Sequence, residues 1–138
     1  MVLVSETPAV IEQWLRVIES GPDADGEHHD LEQMLAHDAV FYSPAVFTPQ
    51  RGRDTSVAYL RAAEQMFAGT DFHYVEKWFG DNSAVLHFAA EVDGLSVEGI
   101  DMIHWNAEGK ITSVKVMIRP FKALQGVVER MGALLAGQ

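Results

Sequence analysis

The residue best equipped for acid–base chemistry is Asp101, within the run "VEGIDMIHW" from Val97 to Trp105. In a strand, alternate residues share a face, so Asp101 lies on the same side as Val97, Ile103 and Trp105. A carboxylate among apolar side chains, with no cation beside it, has its ionised form disfavoured by desolvation. Its pKa rises, and it can hold a proton near neutrality. That makes it a candidate functional group, able to give or take a proton near neutrality. The alternative is a structural acid that hydrogen-bonds nearby backbone inside a filled core.

The six histidines invite a metal reading that their placement does not support. His28-His29-Asp30 falls in a polar loop, where adjacent side chains diverge, and a closed metal site needs three or four converging ligands. His87 and His104 share a face opposite to that of Asp101 and lie several residue pairs apart, suiting a dimer interface or solvent. In "DFHYVEKWF" alternation turns either His73 or Tyr74 inward. The following "GDN" turn admits more than one loop length, so the register stays open. His73 is therefore either a second acid–base or a histidine held in one tautomer. There is no cysteine, and hence no thiolate nucleophile or disulfide. The chain has neither a glycine-rich phosphate loop followed by Lys-Ser/Thr nor a nucleophile elbow.

The elements that must position these residues follow from period and punctuation. "AVIEQWLRVIES" after Thr7-Pro8 reads as a capped helix with Val10, Ile11, Trp14, Leu15, Val17 and Ile18 on its apolar stripe. Beyond the polar turn "GPDADGEHHD", "LEQMLA" reads as a short helix and "DAVFYSP" as a strand. The two prolines of "PAVFTPQRGR" suit a loop or edge crossing. "SVAYLRAAEQMFAG" follows as a longer helix, capped by Asp54 or Thr55, with Val57, Leu60, Ala63, Met66 and Phe67 spaced for burial. Arg51 and Arg53 precede it, as surface residues or as guards of a pocket mouth. Then the period changes to two: "DFHYVEKWF", "SAVLHFAAEV", "SVEGIDMIHW" and "ITSVKVMIRPF" are strands of an antiparallel sheet. The closing "FKALQGVVERMGALLAG" has helical spacing and packs on the sheet or a partner. The fold class is α+β.

The turns give a register. A two-residue turn at Asp93-Gly94 sets Leu86 opposite Asp101, Ala84 opposite Ile103 and Phe88 opposite Gly99. A four-residue loop over Asn106 to Gly109 sets Asp101 opposite Val114. Opposed residues share a face. The expected interior is therefore Leu86, Phe88, Val97, Ile103, Trp105, Val114, Val116 and Ile118, with Phe41 from the first strand. Glu98, Met102, Lys115 and Arg119 point away.

A chain of 138 residues is one domain's worth, expected to span 1–138 and to bury roughly two thirds of its unfolded surface. With 48% apolar and 22% charged residues it reads as an ordinary globular chain. A net charge of −10 disfavours nucleic acid, whose phosphates require clustered Lys and Arg. No apolar run approaches the roughly 20 residues that span a bilayer, and "MVLVSETPAV" lacks the form of a signal peptide. The expected location is the cytoplasm, with no membrane partner.

Three passages, "VIEQWLRVIESGPD", "LAHDAVFYSPAVFTPQRGRDTSVAYL" and "VEGIDMIHWNAEGKITSVKVMIRPF", together resemble the nuclear transport factor 2-like superfamily in its SnoaL-like and ketosteroid-isomerase-like branch. The resemblance implies a cone-shaped, curved antiparallel sheet wrapped on N-terminal helices, also called cystatin-like. In ketosteroid isomerase a proton-abstracting aspartate ends the first strand, while a first-helix tyrosine and a protonated aspartic acid form the oxyanion hole. By that resemblance Asp101 is the counterpart of the aspartic acid, Trp14 of the tyrosine and Ser43 of the base. A serine cannot take a proton from a carbon acid unaided, and Trp14 offers one N–H but no ionisable group. Authentic ketosteroid isomerase activity is thus disfavoured. So is the epoxide hydrolase activity of the same fold, which uses paired aspartates with an arginine, because the last strand turns Val114, Val116 and Ile118 inward. SnoaL-like cyclases, which rely chiefly on one inward aspartate, are the nearest analogy.

The expectation is a cofactor-free isomerase, cyclase or lyase acting on an apolar, carbonyl-containing molecule. Asp101 would be the acid–base, and Trp14 and Ser43 would donate to a developing oxyanion. No metal is expected, and a homodimer through the sheet's outer face is. The rival expectation is a ligand-binding module, or a partner-binding dimer, of the same fold without turnover.

Overall fold

The computed structural model describes residues 6–21 and 29–136. The expected turn after the first helix, with His28, lies outside the described residues. Helix α1 (Ala9–Ser20) buries Val10, Ile11, Trp14 and Val17, as its apolar spacing requires. Pro8 caps it through its carbonyl, which accepts from the backbone N–H groups of Ile11 and Glu12; no side chain takes part, so Thr7 is not the cap. Helix α2 (His29–Met34) is one and a half turns long and ends where β1 (Leu35–Tyr42) begins, three residues earlier than the sequence suggests.

The crossing that follows contributes a two-residue strand, β2 (Gln50–Arg51), consistent with its prolines. Helix α3 (Arg53–Phe67) starts directly after Gly52, again without a side-chain cap, and buries Ser56, Val57, Leu60, Ala62 and Met66. The Ser56 hydroxyl donates to the Ala39 carbonyl of β1, at 3.2 Å, tying helix to sheet. Strands β3 (His73–Phe79), β4 (Ser83–Val92), β5 (Leu95–Trp105) and β6 (Ile111–Arg119) follow, and α4 (Phe121–Ala136) closes the chain.

The six strands form one curved, open sheet in the order β2-β1-β6-β5-β4-β3. Strands β3 to β6 are an antiparallel meander, but β1 joins β6 in parallel, so the sheet is not antiparallel throughout. The β4–β5 register is the expected one, with Leu86 opposite Asp101 and Phe88 opposite Gly99. Asp93 and Gly94 both have positive φ, 53° and 80°, the conformation of a two-residue turn that matches strand twist.

The β5–β6 register differs. An irregularity between His104 and Trp105 pairs Trp105 with Ile111 and sets Asp101 opposite Val116, not Val114. Up to Ile103 the displacement is two residues, an even number, so Asp101, Ile103, Val114, Val116 and Ile118 keep the inward face.

The helices cover one face of the sheet in two apolar clusters. The larger joins Ile11, Trp14, Phe41, Leu86, Ile103, Trp105 and Val114 with α2 and α3; the smaller joins Met66, Val92 and Val97 with Ala123 and Val127 of α4. Helix α4 thus packs on the chain's own sheet. No described helix is long and apolar enough to cross a membrane.

Candidate acid–base site

Along the inward row of β5, Val97 belongs to the smaller cluster and Ile103 to the larger. Gly99 and Asp101 lie between them. Asp101 is 8% exposed, and its Oδ2 accepts a hydrogen bond from the Tyr74 hydroxyl at 2.8 Å. Tyr74 stands opposite Phe88 on β4, which fixes the orientation the sequence left open. His73 is accordingly on the other face, exposed, with its Nδ1 donating to the Asp71 carbonyl at 2.8 Å. The structure gives it no route to Asp101.

Trp14 reaches the same point from α1. Its Nε1–H donates to the Tyr74 oxygen at 3.0 Å. An indole has a single donor, so this bond commits it. The Tyr74 oxygen, already accepting from Trp14, directs its own proton to Asp101. A three-residue relay results, Trp14 to Tyr74 to Asp101, made by one helix and two strands.

Burial among apolar groups pushes the Asp101 carboxyl up to about 7 from 3.8, against the opposing pull of the Tyr74 hydrogen bond. Tyr74 is itself held well above its ordinary value, by burial first and then by the Asp101 charge. The tyrosine therefore stays neutral and acts as a donor, while the aspartic acid is the group that exchanges a proton near neutrality.

Around Tyr74 the interior is aromatic. Phe72 contacts Tyr74 edge-on at 5.3 Å between ring centroids, and Phe67, Phe72 and Phe88 contact one another at 4.9 to 5.4 Å. Gly99 makes room for this cluster. A Cβ there would stand 2.4 Å from Phe88 Cζ and 2.6 Å from the Met117 carbonyl oxygen.

Ser43 is placed elsewhere. Its Oγ accepts from the Ala45 backbone N–H at 3.0 Å, and it lines a surface cleft of about 480 Å³ between the loop after β1, the end of β6 and Leu124 of α4. Val116 and Ile118 also line this cleft. Phe41, Leu86, Phe88, Val97, Ile103, Trp105 and Val114 are instead buried in the core. Asp101 is not among the cleft residues, but Val116, its direct cross-strand partner, is. A second, polar cleft of about 530 Å³ lies near Gln33, Asp38, Arg53 and Lys110. Among the described residues no three His, Asp or Glu side chains gather as a metal site.

Tyr74 is the residue that sequence reasoning did not single out. The irregularity between Tyr74 and Glu76 in the β3–β4 pairing is what obscured its face. Replacing it tests the relay: Tyr74→Phe leaves the Trp14 N–H and the Asp101 carboxyl without this partner, at an expected cost of about 1–3 kcal/mol in urea unfolding. The same change should move the Asp101 pKa further above about 7, seen in carbon-detected NMR, because the bond that favours the ionised form is gone.

Comparison with known proteins bears on the family and the fold. The family profile described as a SnoaL-like domain matches residues 11–114. Among solved structures, a steroid delta-isomerase from Pseudomonas aeruginosa superposes with a TM-score of 0.85 and 32% identity, covering 94% of this chain and 90% of that one. A protein with a cystatin-like fold from Silicibacter pomeroyi DSS-3 gives a TM-score of 0.79 and 27% identity, over 91% and 84%. The epoxide hydrolase/cyclase-like enzyme SalBIII, which has a role in pyran ring formation in the polyether salinomycin, shares the fold at a TM-score of 0.60 and 19% identity, over 80% and 88%. No curated protein matches. With the profile spanning most of its length, and the fold of the ketosteroid-isomerase-like and cyclase-like structures around it, this chain belongs to the SnoaL-like domain family of the nuclear transport factor 2-like superfamily.

Proposed function

We propose that the protein is a cofactor-free proton-transfer enzyme of the isomerase or cyclase kind, acting on an apolar carbonyl compound with Asp101 as its acid–base. The observation that carries this reading is a buried carboxyl at about 7 whose hydrogen-bond partner is a neutral phenol. A general acid or base works best with a pKa near the working pH, because both protonation states are then populated. Ionised Asp101, stabilised by the Tyr74 hydroxyl, takes the proton from the carbon beside the carbonyl, leaving its electron pair in the enolate. Protonated Asp101 then returns that proton to another carbon of the conjugated enolate, which closes the proton balance and regenerates the carboxylate. Tyr74 does not ionise in this scheme, and Trp14 orients it rather than touching the oxyanion. Ser43 keeps its O–H proton for an acceptor in the adjoining cleft.

The steroid delta-isomerase similarity supports a shift of a proton on a flat apolar ketone. The serine at position 43 argues for substrates whose carbon acid is more acidic than that of a simple steroid ketone. The test is a panel of β,γ-unsaturated and 1,3-dicarbonyl ring compounds, followed by the ultraviolet absorbance of the conjugated product. Asp101→Asn should lower turnover roughly 10²–10⁴-fold, the usual contribution of a positioned acid–base. Turnover by the variant equal to wild type would remove the proposal.

A binding module is the second reading, favoured by one observation: Trp14, Phe41 and Phe88 fill the interior, and Asp101 already has its partner within the chain. Tight ligand binding with no product from any compound of the panel would decide for it. For assembly we propose a homodimer through the outer face of β3 and β4, where Val75 and Trp78 are half exposed.

A further inference from the structure

Four aromatic rings lie together on the inner face: Phe67 at the end of α3, Phe72 just before β3, Tyr74 on β3 and Phe88 on β4. Phe72 touches the other three, with ring centroids 4.9 Å from Phe67, 5.0 Å from Phe88 and 5.3 Å from Tyr74. Tyr74 packs against the larger apolar cluster and Phe67 against the smaller, while among the described residues Phe72 belongs to neither. Its ring thus lies in the seam between the clusters, the seam that also holds Gly99 and Asp101 on β5.

Phe72 is the member of this group best able to leave. It stands in neither helix nor strand and is half-buried, whereas Phe88 is 1% exposed and Phe67 is held in α3. Its backbone is pinned on both sides, because the Thr70 carbonyl accepts from the Glu91 N–H at 2.8 Å and His73 pairs with Ala89. Turning the ring toward solvent therefore needs a change of side-chain rotamer and no movement of the loop. The change uncovers Phe88, whose ring lies over Gly99, and the ring of Tyr74, whose hydroxyl donates to Asp101. The stacked and edge contacts that hold phenylalanine there would hold another flat ring of that width equally well.

We propose that Phe72 holds the place of the substrate's ring: a flat conjugated ketone turns it out, stacks on Phe88 and brings its carbonyl to the Tyr74–Asp101 pair. The inference rests on the proposed function for what then happens to the ketone, and it narrows the substrate class to compounds with a planar ring beside the carbonyl. It also gives access to an acid that is 8% exposed while Phe72 is in place. A ligand that must first displace the ring binds more weakly, in proportion to the fraction of molecules in which the ring is out.

The test needs no turnover and uses acetophenone as the probe, added to the whole chain with carbon-13 in its phenylalanine rings. At saturation the Phe72 ring should lose its nuclear Overhauser contacts with Tyr74 and Phe88, acetophenone should gain contacts with both, and the Asp101 carboxyl carbon should shift. Phe72→Ala should bind acetophenone about tenfold more tightly than wild type, having no ring to displace. Phe72→Leu keeps more of the packing; it should show a smaller gain and serves if the alanine variant does not fold. A Phe72 ring that stays in place at saturation, acetophenone contacts confined to other residues, equal affinity of wild type and variants, binding by the alanine variant alone, or no binding at all would each overturn the inference. Asp101→Asn should still bind acetophenone and displace Phe72, so loss of the acid–base proposal and loss of this one are separately readable.

Discussion

Asp101→Asn is expected to gain stability on wild type as pH rises, by roughly 2–3 kcal/mol between about pH 5 and about pH 8. The folded carboxyl releases its proton only at about 7, whereas in the unfolded chain it does so near 3.8. Between those values the folded state holds a proton that the unfolded state has lost, so folding takes up a proton. Stability from this group is fully present below the unfolded pKa and falls as pH rises through the window. Above the folded pKa the loss levels off, at about 4 kcal/mol in all, from some three pH units at about 1.4 kcal/mol each. This is the reverse of the usual carboxylate, which is stabilised by a cation and lost in acid.

The other acids of the chain titrate in both proteins, and asparagine does not, so the difference between wild type and variant isolates position 101. Urea unfolding of both proteins at several pH values reads it directly. A difference that stays flat with pH would mean that Asp101 titrates as a solvated acid, and the proton-transfer proposal would fall with it.

The second large effect belongs to Gly99. Gly99→Ala should cost about 3 kcal/mol, at the upper end of what overpacking a core costs. Its β-carbon would meet both the Phe88 ring and the backbone oxygen of Met117. The ring can turn aside, but the carbonyl belongs to β6 and cannot move without parting the strands. The glycine's φ is not in the left-handed region, so the requirement is one of space alone. Thermal unfolding of Gly99→Ala beside a surface control at Gly132, where an added Cβ meets nothing within 4 Å, separates crowding from the general effect of adding a methyl group. Displacing Phe88 should also loosen Phe72 and with it Tyr74.

How much of this could be read from the residues varied with how local the determining chemistry was. The pairing of Leu86 with Asp101 is set by Asp93-Gly94, two adjacent residues, and was legible. The β6 register was legible only in parity. Asn106 folds its side chain back onto the N–H groups of Glu108 and Lys110, and the strand slips where that turn meets Trp105. The face of Asp101 survives because the slip is even. The Trp14–Tyr74 bond joins residues 60 apart in sequence, and no pattern of periods announces it. By resemblance Trp14 was expected to donate to substrate, but its one N–H is spent within the protein. Ser43 was expected beside Asp101 and instead lines the cleft that ends at Val116.

The parallel seam between β1 and β6 bears on the order of assembly. Strands β3 to β6 are joined by short turns and close with little loss of chain entropy, whereas Leu35 must find Ile111 across most of the chain. Loop-closure cost favours the meander as the folding nucleus, with α1, β1 and α3 docking onto it afterwards. The Tyr74–Asp101 pair is made within the meander; the indole of Trp14 arrives only with docking. A chain caught before that step already has the Tyr74–Asp101 pair but not the indole donor that orients the phenol, so the full relay is the last part of the site to form.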